Sequence, residues 1–262
     1  MVIFKHELRQ GRKSFWIWTV SIAAFLAMCI FLYPEMKGEM ENVSDMFSDM
    51  GSFTAAFGMD RLNFGTLIGF YAVEGGNILA IGGAFFAAIT AITALLKEEK
   101  ERTAEFLLTH PVSRAKVVTG KLLSVYAIIV ILNAIVLVCS LLSVAIIGEE
   151  IDMGLVLLFH LAYLLMQFVI AGICFGISAF LSRSGIGIGI GVAAVMYFLN
   201  IVANISKDAE VLKYVTPFGF CEGADIINNR SINMPYLCVG LCLMAVGICL
   251  AYFKYCRKDI NA

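Results

Sequence analysis

The chain has 262 residues, 60% of them hydrophobic and only 15% charged, with a formal net charge of −1. The apolar residues fall in long blocks instead of the short alternating runs of a soluble core, which excludes a soluble globular protein and gives no reason to expect a nucleic-acid partner. Strands of a membrane barrel would alternate apolar and polar over about ten residues, and these blocks do not.

Before the first block, Phe4, Leu8, Gly11 and Phe15 recur at helical spacing beside a stripe of Lys5, Arg9 and Arg12. Residues 2–14 therefore read as an amphipathic helix lying in the membrane surface, its charges meeting anionic lipid headgroups. A basic leader that only enforces topology fits the composition equally well. The first span, about Phe15–Tyr33, ends in Leu32-Tyr-Pro-Glu-Met36 without a small-x-small cleavage site, so it is read as a span and not a removed signal.

The stretch 34–66 carries Glu35, Glu39, Glu41, Asp45, Asp49 and Asp60 among Met and Phe residues. It is too long for a simple turn, and short helices are expected there. A calcium loop would need a 12-residue ligand pattern with its glycine, which is missing, so no metal site is expected.

The second span, about Leu67–Leu96, holds Gly75-Gly76, Gly82-Gly83 and Glu74, the one charge inside the apolar blocks. A charge at the centre of a spanning helix costs about 2.5–3.5 kcal/mol on insertion scales, so such residues flag transport paths. Glu74 lies near the outer end, where a water-filled vestibule or a structural hydrogen bond explains it as well as ion coupling does. With His160 it forms the substrate-pathway candidate pair, although a packing role suits His160 better.

Between the second and third spans lies the polar stretch 97–116. Continued as a helix, it puts Leu96, Thr103 and Leu107 on one side and Glu98, Glu101 and Glu105 on the other, until Pro111 forces a break. The basic set Arg114, Lys116 and Lys121 follows. A two-faced helix that grips a cytosolic partner and a solvated charge run held by i,i+4 pairs are both open on spacing alone.

The remaining spans are about Leu122–Ile147, Leu155–Leu181, Ile186–Ile205 and Tyr236–Phe253, which makes six in a single domain covering 1–262. Gly172 and Gly176 in the fourth, and Gly185, Gly187, Gly189 and Gly191 opening the fifth, let helix backbones approach closely, chiefly within one subunit. Cys29, Cys139, Cys174, Cys238, Cys242 and Cys249 lie inside spans and Cys256 at the end of the last, with Cys221 alone outside. They read as small packing residues and not as a disulfide framework.

Lys and Arg are retained in the cytoplasm. Lys5, Arg9, Arg12, Lys13, Lys97, Lys100, Arg102, Arg114, Lys116, Lys121, Arg183, Lys254, Arg257 and Lys258 share one side, against Lys37, Arg61, Lys207, Lys213 and Arg230 on the other. Both termini are therefore expected in the cytoplasm, in a bacterial plasma membrane, with 34–66 and 206–235 outside.

Thr103-Ala-Glu-Phe-Leu-Leu-Thr-His-Pro-Val-Ser-Arg-Ala-Lys-Val-Val-Thr-Gly-Lys121 closely resembles the cytoplasmic loop of the type-two ABC exporter permeases. Leu212-Lys-Tyr-Val-Thr-Pro-Phe-Gly-Phe220, with Asp225-Ile-Ile227 after it, resembles the segment before the sixth helix of the same family. Surface helix, six spans and cytoplasmic termini extend the resemblance over essentially the whole chain. It implies a half-transporter in which two permease copies, identical or related, form the path and two cytosolic ATPase subunits drive them. It implies too that the loop inserts a coupling helix into the ATPase, which carries over onto Glu98, Glu99, Glu101, Arg102, Thr103, Glu105, Phe106, Leu107, Pro111 and Arg114. The 206–235 segment would correspond to short re-entrant helices capping the exit.

No Gly-x-x-x-x-Gly-Lys-Ser/Thr loop occurs, and Thr119-Gly-Lys-Leu122 lacks the upstream glycine and the magnesium-holding hydroxyl. ATP and magnesium would belong to the partner, with no cofactor and no catalytic residue on this chain. The cargo expected is a hydrophobic or amphipathic molecule, such as a peptide, a lipid-like molecule or an antibiotic, because so few charges are buried. An ion-extruding ABC permease stays open as an alternative. A secondary carrier would need more buried carboxylates. An intramembrane prenyl-protein protease would need a closer match than Glu98-Glu99 with Arg102, which falls one residue short, and a second His element that His160 followed by Leu164 does not supply.

Overall fold

Inside a bilayer every backbone polar group must find its partner within the protein, so long apolar blocks cross as helices. The computed structural model describes residues 2–49, 51–97, 113–182 and 185–257, and among these it contains helices and no strand. We label the long helices α1 (Val2–Gln10), α2 (Arg12–Asp49), α3 (Leu67–Ala94), α4 (Arg114–Ile147), α5 (Met153–Ser178), α6 (Ile186–Ile205) and α7 (Met234–Arg257). Six of them, α2 to α7, are long and apolar enough to cross a membrane, α2 through Arg12–Gly38.

The boundaries differ from the apolar blocks in instructive ways. The surface helix is expected over 2–14, but α1 ends at Gln10, Gly11 forms a turn, and α2 starts at Arg12. Pro34 does not end the first span. It sits inside α2, which runs on to Asp49, so the first part of 34–66 extends that helix and only Ser52–Ala56 and Met59–Arg61 are short helices. Proline inside a helix removes one backbone donor, and beside it the Tyr33 hydroxyl donates to the Gly65 carbonyl at 2.8 Å, tying this part of α2 to the segment before α3. The third span begins two turns before Leu122, because Ser113 caps α4 by accepting from the Lys116 N–H.

The most buried span is α5, which packs against α3, α4 and α7, while α2 lies on α3 and α4 and α6 lies on α3. The crossing of α5 with α7 is a backbone-to-backbone contact. A Cβ on Gly176 would stand 2.6 Å from the Gly247 carbonyl oxygen, and one on Gly247 would stand 2.5 Å from that of Gly172. The Gly172/Gly176 spacing thus serves packing within one subunit, as small residues do in lipid.

Eight cysteines are free. Cys221, placed outside by the sequence, is buried, its thiol donating to the Pro217 carbonyl at 3.2 Å. Cys238, Cys242, Cys249 and Cys256 do not pack inside the subunit; all four lie exposed on α7. At the end opposite the termini, the helices Lys207–Tyr214, Pro217–Phe220 and Gly223–Asn229 fold over the bundle and send Phe218, Phe220 and Glu222 into it.

Candidate functional site

Among the described residues, polar groups interrupt the apolar bundle at each end and between. At the termini end, α1 lies on α4, with Gly120 leaving room for Ile3. Lys121 is fully buried there. Its Nζ donates to Glu7 Oε1 at 2.8 Å and to the Ala94 carbonyl at 2.7 Å, and Lys97 stands 4.0 Å from Glu7 Oε2. Lys121 is therefore not part of an exposed basic set with Lys116. It ties α1, the last turn of α3 and the second turn of α4 together, and Ala94 gives it one of the carbonyls a helix end leaves without an intrahelical donor. Arg114 is half-buried in the first turn of α4. The other expected coupling residues, Glu98, Glu99, Glu101, Arg102, Thr103, Glu105, Phe106, Leu107 and Pro111, lie outside the described residues, as do Arg183 and Lys258.

Within the bundle, Asn133 on α4 and Gln167 on α5 exchange hydrogen bonds of 2.7 and 3.3 Å. His160 is buried, its Nε2 lying 2.6 Å from the Tyr71 hydroxyl, while its Nδ1 has no partner. Glu74 is half-buried. Glu74 and His160 do not line the two cavities described below.

The third group sits at the end opposite the termini. Glu222, 7% exposed, projects between α3, α5 and α6. Its Oε2 accepts from Asn204 Nδ2 at 2.8 Å and from Asn200 Nδ2 at 3.4 Å, and Arg61 stands 3.5 Å from Oε1. Arg61 is shared, its other arm donating to Asp225 at 2.6 Å. Burial pushes the Glu222 carboxyl above its ordinary range, against the opposing pull of Asn204, Arg61 and Lys213. Gly58 makes room for this carboxylate: it is left-handed at φ +68°, and a Cβ there would come within 2.6 Å of Glu222 Oε1.

Glu222, Asn200 and Asn204 face a cavity of about 40 Å³ with Asn77, Tyr163 and Tyr197. The amide oxygens of both Asn200 and Asn204 are buried without a partner. Such a space holds one or a few small polar groups. The site offers two amide oxygens as acceptors beside a carboxylate that Arg61 also faces at 3.5 Å, and among the described residues no three His, Cys, Asp or Glu side chains form a metal cluster.

Glu222 is not among the residues the sequence flags, because charges are sought within the spans and Glu222 lies between the fifth and the sixth. A signal was nonetheless present: Asn200 and Asn204 stand one turn apart in an otherwise apolar helix, and Asn133 and Gln167 are equally foreign to their spans.

A search of curated proteins found no match to the chain. The profile of the family described as ABC-2 family transporter protein matches residues 1–260. With six spanning helices and nearly the whole length matched, the chain belongs to the ABC-2 family of transporter permeases.

Proposed function

We propose that this chain is the membrane half of an ATP-driven exporter, that two copies or a copy and a relative form the path, and that separate cytosolic ATPase subunits supply the energy. The termini and the 98–112 stretch face the cytoplasm in this reading, and the cargo is hydrophobic or amphipathic. The observation that carries the coupling part is the Glu7–Lys121–Ala94 clamp. It joins the end of α3 to the start of α4, the two helices between which the 98–112 stretch lies, and it joins both to α1. A push delivered to that stretch would then be passed to the bundle as a unit instead of being absorbed at a loose helix end.

The match to the permease family over 1–260 supports the division of labour, as does the lack of a phosphate-binding loop in the sequence. The test is to co-express the chain with a soluble ATPase encoded in a neighbouring reading frame and to purify through a tag on the permease. We expect the ATPase to co-purify and its ATP turnover to change on assembly. Failure of every neighbouring ATPase to bind, together with substrate movement without nucleotide, would refute the reading.

A further inference from the structure

The cavity at Glu222 does not stand alone. A second one, of about 170 Å³, is lined by Ile81, Ala84 and Phe85 of α3 and by Ala193, Ala194 and Phe198 of α6. The two share Tyr197 and Phe218 as a common wall, a T-shaped ring pair with centroids 5.4 Å apart. Tyr197 is held there by its hydroxyl, which donates to Asn77 Oδ1 at 3.1 Å. On α3 the polar cavity touches Asn77 and Ala80 and the apolar one Ile81 and Ala84, at the Leu79–Gly83 segment that winds as a π-helix. Such single-turn π segments recur at functional sites.

The chemistry of the polar end is specific. The amides of Asn200 and Asn204 turn their nitrogens to the Glu222 carboxylate, and the reverse orientation would set oxygen against carboxylate. Their oxygens are thereby left as acceptors without donors. Two amide oxygens and one carboxylate match the three N–H donors of an –NH₃⁺ group. A quaternary ammonium has no such donors, and a neutral hydroxyl carries only one.

We propose that these adjoining cavities form one binding site for a primary ammonium carried on a short apolar group, the ammonium at Glu222, Asn200 and Asn204 and the apolar part along the Tyr197–Phe218 pair against Ala194 and Phe85. This rests on the exporter reading and narrows its cargo to cationic amphiphiles.

The test uses the purified full chain in phosphatidylcholine nanodiscs, without nucleotide or ATPase, titrated calorimetrically with hexylammonium and corrected with nanodiscs lacking protein. Saturable one-site binding is expected, with hexanol at least about tenfold weaker, the order of one lost charged hydrogen bond. Glu222→Gln should weaken hexylammonium by a similar factor. Ala194→Phe, which fills the apolar cavity, should weaken hexylammonium by about tenfold and leave methylammonium unchanged. Hexanol binding as tightly as hexylammonium, or no heat beyond the protein-free nanodiscs, would overturn the proposal even if the Glu222 variant failed to fold. Because no ATPase is present, failure here leaves the exporter reading standing, and loss of ATP coupling leaves this site standing.

Discussion

Lys121 sits in an environment its charge does not suggest: its side chain is 0% exposed and that of Glu7 10% exposed. Breaking a buried pair on one side leaves the other charge without compensation and costs about 3–5 kcal/mol, whereas replacing both partners costs far less. Lys121→Met and Glu7→Gln should each lower the thermal unfolding midpoint of the purified permease sharply, and the double variant should recover much of the loss. Additive losses would contradict the clamp.

Glu222 gives a second residue-scale prediction. Burial raises its folded-state pKa above the ordinary 4.5, while Arg61 of the Met59–Arg61 helix, Lys213 and Asp225 from the covering helices, Cys221 beside it, and Tyr163 and Tyr197 from the bundle face it. The folded state thus holds this proton more tightly than the unfolded state. The contribution is fully present below about pH 4.5 and is lost as pH rises through the folded value. Unfolding midpoints followed against pH should show that decline in the wild type and a flatter curve in Glu222→Gln; identical curves would refute it. Neither residue was legible in the sequence. Lys121 follows a charged stretch and precedes an apolar block, so it looks like a loop residue, and Glu222 lies in a connecting segment between two spans, where a carboxylate raises no flag. The burial of each comes from partners 114 and 18 residues away.

At the scale of elements, apolar block length located all six spans, because lipid leaves the backbone no other choice. What block length misses is how far a helix continues once it leaves the apolar zone. Hydrophobicity stops near Tyr33, yet α2 continues through Pro34 to Asp49; it stops at Leu122 going backward, yet α4 starts at its Ser113 cap. Glycine spacing was more informative. Gly172 and Gly176 signalled a close crossing, and α7 supplies the partner at Gly247. Gly176→Val would force two backbones apart and should cost about 1–3 kcal/mol, the range for overpacking. A thermal unfolding midpoint that falls would agree with this. An unchanged midpoint would mean that α7 does not rest on α5 in the membrane.

For the molecule as a whole, the layout is an apolar bundle with a polar group at each end and buried polar pairs between them. One end carries the clamp beside the stretch expected to meet the ATPase, and the other carries the acceptor cavity. The proposed exporter would need energy delivered at one face and cargo handled elsewhere, and this separation suits that demand. The central claim is that work enters through 98–105, and it is tested by ATP turnover. The measurement compares the ATPase subunit assembled with the wild-type permease and with a Glu98→Lys, Glu101→Lys, Glu105→Lys variant, in the same membranes and at equal permease levels. The account predicts that the variant inserts normally and loses the permease-dependent change in ATP turnover. A variant that stimulates turnover as fully as the wild type would contradict it.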